Sequence, residues 1–403
     1  MVYPKDLRTL RYDGRVLKEA QTLIKAGHDV IIACDDRSFD VETIYVDGVG
    51  IKCAGTRGRK SFEWLADLVA QHVVHLFSRA FLDRGLSVRP MYIGLLLGLK
   101  ADVYHAHDLS ALPSALFCAR MTESLCVYDS HEFFPGEKNY KLRRFFIRFF
   151  EGSMIRRCDA VITVNDSIAG LLKKIYSLEK EVVVLRNFRK QTPLARSNLL
   201  RENLGIPPSA RILIYHGNLS PDRGVEKLVD VAKQMPEVHV VMVGNGVLRD
   251  SLMKRARSED VKNISFRDRI KQEDLMRYLS SADVGLHPIE NTCPNNYYSL
   301  GNKIGDYIMA GIPIAASDFP EMRKIILGED IGVVFDPDDI ESIVKALRSL
   351  LSSDAYEKKR RNVLSVREKY SWENEEKKLV RLYRALGKKR LSARRRCEKE
   401  VSA

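Results

Sequence analysis

A chain of 403 residues exceeds what one hydrophobic core usually supports, so two domains are expected. With 45% hydrophobic and 30% charged residues and no apolar run near the ~18 residues of a spanning helix, the composition fits a soluble globular protein and excludes a membrane-spanning helix. The formal charge of +13 calls for an anionic partner: nucleic acid, a phosphorylated substrate or an anionic membrane. Seven cysteines without a CxxC pair read as reduced thiols of a cytoplasmic protein, and the charged start "MVYPKDLRTLRYDGRV" lacks the apolar region of a signal peptide.

In chain order, only "MVYP" and a polar stretch precede the first helical pattern, so either the first strand is very short or the chain start is truncated. In "GRVLKEAQTLIKAGH", Val16, Ala20 and Leu23 recur at helical spacing and Gly27 closes the helix. Buried strands are expected at 29–35, 102–107, 124–132, 159–165 and 182–187, separated by helices, which implies a parallel sheet covered on both faces. A basic loop, "GTRGRKSF", occupies 55–62. Further on, "YKLRRFFIRFFEG" reads as a basic amphipathic helix, with Lys141, Arg144 and Arg148 on one face and Leu142, Phe145, Phe146 and Phe149 on another. Such a helix suits an anionic membrane surface, or equally a core with a solvated side.

Residues 191–209 are polar and Pro-containing and read as a linker with one short helix. Strand–helix alternation then restarts, with strands at 211–218, 238–246, 263–268, 282–288, 312–317 and 332–335. The reading is α/β: a Rossmann-like domain over 1–190, a second over 210–370, and a helix over 371–390 crossing back to the first. The segment 388–403 is a basic tail without apolar periodicity, expected to be frayed. Two doubly wound domains facing a cleft place a ligand beyond the carboxyl ends of their strands.

The loops at those ends carry the chemistry. "YHGNLSPDRGVEKL" offers Gly217 for close approach of a ligand and Arg223, at an expected helix start, to clamp a phosphate. "SLGNK", residues Ser299, Leu300, Gly301, Asn302 and Lys303, is a turn opening a helix, where unpaired N–H groups and a lysine suit a second phosphate. Together they fit a diphosphate. "GNG" at 244–246 lacks the GxGxxG spacing and reads as a close-approach turn. Asp306, one turn inside the helix, is placed to accept hydrogen bonds from the vicinal hydroxyls of a ribose. His105 and His107 alternate onto the same side of a strand, and His131 and Glu132 end the next one, an acceptor-side position. No acid pair converges for a hydrolase, no metal cluster is evident, and no nucleic-acid-binding module is present.

These segments resemble glycosyltransferase family 4, whose members are retaining, NDP-sugar-dependent enzymes of GT-B fold. The resemblance runs over about residues 12–385: "YDGRVLKEAQTLIKAGHDV", "DVYHAHDLSALPSALFCAR", "HGNLSPDRGVEKL", "VMVGNGVLRD", "ADVGLHP" and "DYIMAGIPIAASDFPE" follow in the family's order. It implies transfer of a sugar to a hydroxyl of a glycan or lipid-linked acceptor, without a metal or other cofactor. It also puts His107 at the family's active-site histidine and Asp306 at the second acid of the Glu-x7-Glu hallmark. Two positions depart from the pattern. Tyr298 stands at the first acid and Asn218 at the usual phosphate-binding arginine, so donor-sugar identity is not inherited. A non-catalytic, nucleotide-sugar-binding or partner subunit therefore stays open.

Overall fold

The computed structural model describes residues 1–54 apart from 4, 12, 35, 37, 40 and 47, together with 90–137 and 141–401. The basic loop expected at 55–62 lies outside the described residues. Two compact units are present: Met1–Arg186 with Glu376–Ala403, and Asn187–Glu375. Among the described residues, no helix is long and apolar enough to cross a membrane.

In the first unit the strands are β1 (Val2–Tyr3), β2 (Ile31–Cys34), β3 (Val41–Val46), β4 (Val49–Ala54), β5 (Val103–His107), β6 (Leu125–Ser130), β7 (Ala160–Thr163) and β8 (Val182–Val184). They form one sheet in the order β3-β4-β2-β1-β5-β6-β7-β8. The very short first strand is there, and its two residues pair with β2 while Val2 also reaches Ala106 of β5. One edge departs from the expected parallel pattern, because β3 and β4 are antiparallel, with Val46 opposite Val49. Gly48, at φ +77°, supplies the left-handed backbone that so tight a hairpin needs.

The second unit holds β9 (Arg211–His216), β10 (Val238–Val243), β11 (Ile264–Arg267), β12 (Val284–His287), β13 (Ile314–Ser317) and β14 (Gly332–Phe335). All pairs are parallel, in the order β11-β10-β9-β12-β13-β14. Ile212, Ile214, Val241 and Val243 enter one core and Leu213, Tyr215, Val240 and Met242 the other. Burial on both faces is why these strands read as unbroken apolar runs. The chain steps outward from β9 to β11 and returns beside β9 as β12. That reversal makes the carboxyl ends of β9 and β12 the natural ligand crevice of this sheet.

Two boundaries differ from the expectation. The stretch 191–209 is no free linker, since Leu200 and Ile206 are buried in a core of the second unit and the division falls between Arg186 and Asn187. Nor is the basic tail frayed: the helix Trp372–Val401 continues through it. Lys, Arg, Ala, Leu and Glu are strong helix formers. Lys389 and Arg390 also tie it to Asp159 and Asp102, at 2.5 and 2.9 Å.

Candidate active site

In the second unit, the end of β9 is built around an absent side chain. Gly217 sits at φ +134°, and a Cβ there would lie 2.8 Å from Cε and 3.0 Å from Nζ of Lys303. The glycine thus makes room for the lysine to cross the strand end, with its ammonium 5.0 Å from the centre of the Tyr215 ring. The "GNG" turn is the close approach expected of it, for a Cβ on Gly244 would fall 1.8 Å from the Gly217 carbonyl oxygen. Burial and the neighbouring Arg223 push the Lys303 ammonium down to about 8, against the pull of Asp306. Among the described residues neither Lys303 nor Arg223 is held by an ion pair or hydrogen bond. Two close cations without a bonded counter-charge are the mark of an anion site.

The helix Asn302–Ala310 opens at the same place. Gly301 is its N-cap and no side chain caps it, so its first N–H groups are available to an anion. Gly301 is required for contact as well: a Cβ there would meet Nε2 of His287, at the end of β12, at 2.2 Å. That Nε2 is itself buried without a partner, and burial together with Lys303 and Arg223 keeps the ring neutral. Ser299 donates its hydroxyl to the Asn296 carbonyl at 2.8 Å, and Leu300 packs on the core, so both serve the turn. Asn302 is exposed and accepts from Asn187 Nδ2 at 3.3 Å.

Arg223 does not open a helix, contrary to expectation. The helix after β9 is Lys227–Gln234, with Glu226 at its N-cap, where a carboxylate opposes a second anion. Gly224, at φ +66°, instead carries the turn onward against Pro288; a Cβ would come 1.8 Å from the Pro288 carbonyl oxygen. One helix start and two side-chain cations therefore make the site, rather than two helix starts.

Asp306 is buried and already engaged. Arg189 Nε donates to Oδ1, and His216 Nε2 lies 3.3 Å from Oδ2. Burial lowers His216 to about 4, so it faces the carboxylate as a neutral ring. Asp306 thus already holds an ion pair with Arg189 beside a neutral His216, partners that the expected ribose contact did not include. Asp306→Ala is accordingly expected to cost about 1–3 kcal/mol of stability, the scale of a lost charged hydrogen bond, along with some nucleotide affinity. Urea unfolding beside nucleotide titration tests this; weaker binding with unchanged unfolding would return Asp306 to the ribose.

The first unit gathers a second polar cluster at the ends of β5 and β6. Arg15 donates to both oxygens of Asp129, at 2.8 and 2.7 Å, and to the Leu185 carbonyl at 2.7 Å. Glu19 lies 3.0 Å from Arg15 Nε. His105 and His107 stack with centroids 4.5 Å apart, which bears out their placement on one side of the strand. His105 Nδ1 shares a hydrogen bond with the Tyr383 hydroxyl at 2.8 Å. His107 Nδ1 is 3.2 Å from His131 Nε2, which lies 3.0 Å from Asp129.

Both strand histidines are fully buried, and burial lowers both. His107, expected to touch the donor sugar, is enclosed because β5 runs between β1 and β6 in the middle of the sheet. The imidazole that reaches solvent is His131. Burial opposes its charge, but Asp129 and Asp108 outweigh that and push it up to about 9. Glu132 is exposed, and its carbonyl accepts from Ser130 Oγ at 2.8 Å. Glu19, His105, His107 and Asp129 bring ligand-type atoms within 4.8 Å of one another, yet Arg15 already supplies the positive charge in that space.

Sequence reading missed Arg15, Glu19, Asp129, Arg189, His216 and His287. "YHGN" and "GLHP" each put a histidine at a strand end beside the phosphate loops, and that signal was available for the last two. Arg15 and Glu19, four apart on a helix, look like any surface ion pair.

Residues 15–189 match the family described as Glycosyltransferase Family 4, and residues 197–366 that described as Glycosyl transferases group 1. A glycogen synthase of Mycobacterium tuberculosis is 22% identical over 363 residues, covering 86% of this chain and 84% of that protein. Among solved structures, sucrose-phosphate synthase from Thermosynechococcus elongatus superposes with a TM-score of 0.68 at 16% identity, over 96% of this chain and 95% of that one. Anabaena HepE, solved in complex with UDP and glucose, gives 0.69 at 12% identity, over 92% and 95%. At these identities the structural likeness is one of fold.

Proposed function

The chain belongs to glycosyltransferase family 4 and has its GT-B fold, and from that premise we propose that the second unit binds the diphosphate of an NDP-sugar against Lys303, Arg223 and the start of the helix Asn302–Ala310. The observation carrying this reading is the pair of cations left unbonded beside an uncapped helix start. The sugar is transferred with retention of configuration to a hydroxyl of a glycan or lipid-linked acceptor. As the bond from the anomeric carbon to the diphosphate lengthens, charge collects on the departing oxygens. Preorganised cations and N–H groups then stabilise the transition state more than the bound donor. Arg223 and Lys303 do the charge-neutralising work without a metal cofactor.

His131, charged and partly exposed, is the acceptor-side group of the first unit, held by Asp129 and by the buried His107. Tyr298, edge-on to Tyr297 at 5.0 Å, brings no carboxylate to the donor sugar. Sugar choice therefore rests on groups other than the family's first acid.

UDP or GDP is expected to stabilise the protein by about 2.7 kcal/mol at a hundredfold excess over Kd, through binding to the native state alone. Melting should rise equally with and without EDTA, and incubation with the matching NDP-sugar should release free NDP. Protection that vanishes with chelator would contradict the metal-free site.

A further inference from the structure

Away from the donor site, the first unit carries an apolar face that its own fold leaves uncovered. β5, β6, β7 and β8 are parallel neighbours, joined in turn by the helices Leu112–Met121, Lys141–Ile155 and Asp166–Tyr176. Three right-handed crossovers stepping in one direction place these helices side by side on one face of the sheet. Their inner sides are buried through Ala115, Cys118, Ala119, Ile147, Ile155, Ile168 and Leu172.

The outer sides are not polar. Phe117 and Met121 are 48% and 63% exposed, and Phe145 and Phe149 are 65% and 63% exposed. Each pair is four residues apart, so each forms a ridge on its helix, and the helices are neighbours. Scattered exposed apolar residues need no explanation; two adjacent ridges of large ones do.

On the ridge-bearing helices themselves the outward charge is basic, and the exposed acid nearest in sequence is Glu123, just beyond Met121. Arg120, Arg144 and Arg148 flank the ridges and form no ion pair among the described residues, and Lys173 and Lys174 are exposed on the third helix. The helix Leu112–Met121 contains no acid. Lys141–Ile155 contains one, Glu151, and it is turned inward, accepting from the hydroxyls of Tyr128 at 2.8 Å and Tyr176 at 2.6 Å. Of the two faces expected on this helix, the side chains of Lys141 and Leu142 lie outside the described residues; Arg148 stands beside Phe145 and Phe149 on the exposed side.

We propose that this two-helix face docks on an anionic lipid bilayer, the phenylalanines and Met121 entering the acyl boundary and the arginines meeting lipid phosphates. Aromatic rings inserted to the headgroup level and unpaired cations around them are what such a surface recognises. The observations are independent of the donor site, and the proposal stands whatever sugar is transferred.

The test is co-sedimentation of the full chain with vesicles of phosphatidylglycerol and phosphatidylcholine, and with phosphatidylcholine alone. Binding is expected to the anionic vesicles only and to weaken with added salt. Phe145→Ser/Phe149→Ser and, separately, Phe117→Ser/Met121→Ser should each reduce it about tenfold or more. Melting temperature and nucleotide affinity should stay unchanged, since all four side chains are exposed. Absence of wild-type binding, or binding untouched by either double variant, overturns the proposal. So does a concentration-dependent dimer in sedimentation velocity that the same variants abolish, which would assign the face to a second copy of the chain.

Discussion

Arg15→Met is expected to lower folding stability by about 3–5 kcal/mol, the cost of leaving a buried partner charge uncompensated. Against the 5–15 kcal/mol that typically hold a protein folded, this is a large share. Arg15 makes three hydrogen bonds from a fully enclosed guanidinium, two of them to Asp129. Burial works against an ionised Asp129, but Arg15, His131 and His107 outweigh it and hold the carboxyl well below the usual range. Methionine keeps the apolar bulk and removes the counter-charge.

The pH dependence follows from the two shifts. Asp129 is depressed, so its contribution is present above its unfolded value, about 4, and is lost as pH falls through the folded one. His131 is raised to about 9, so its contribution is complete below about 6.5 and is lost as pH rises through about 9. The Asp129–His131 pair should therefore contribute most between about pH 4 and 6.5, and Arg15→Met should flatten the part of the profile that Asp129 sets on the acid side. Arg15→Lys, which keeps the charge without the fork, should fall between the two. Urea unfolding across pH measures all three proteins. An Arg15→Met midpoint equal to the wild type would show that Asp129 is neutral in the native state.

What the sequence disclosed depended on range. Strands buried on both faces announce themselves locally, and β9, β10, β12 and β13 fall inside the apolar runs read for them. The helix Gly14–Lys25 and its stop at Gly27 were equally plain. β1 was visible only as a short stub, because two residues carry no period. The β3–β4 hairpin carries alternating residues around a D-G turn signal, but with Val41 and Tyr45 exposed it forms no unbroken apolar run of the kind that marks the central strands.

In the site, the loops were legible and the partnerships were not. Gly217, Gly301 and Lys303 could be named from turn chemistry, but that Gly217 exists to admit Lys303 is a fact of packing between two distant loops. Asp306 was rightly read as lying against an apolar face. Its partner Arg189 lies 117 positions away, and no local pattern links them. Arg15 and Glu19 show the same limit: helical spacing pairs them, while only the tertiary fold decides that the pair is buried.

Lys303→Ala is expected to weaken UDP or GDP binding by about tenfold to a hundredfold, the equivalent of the about 1.5–3 kcal/mol carried by a hydrogen bond to a charged group. Before ligand arrives the ammonium is held down to about 8 by burial and by Arg223, with Asp306 alone pulling the other way. A bound diphosphate reverses that balance and favours the charged form, so binding takes up a proton wherever free Lys303 has lost one. Wild-type affinity should consequently be level below about pH 8 and decline above it. Lys303→Ala should be weak throughout and lack the decline. Arg223→Ala gives the sharper test, because it removes one phosphate partner while relieving the repulsion on the other. Its affinity should drop at neutral pH, yet its decline should begin at higher pH than in the wild type, as Lys303 returns toward its ordinary value. Isothermal titration from about pH 6.5 to 10 reads both effects. A Lys303→Ala protein with wild-type affinity, or a pH profile that Arg223→Ala leaves in place, would show that the two cations do not share a diphosphate.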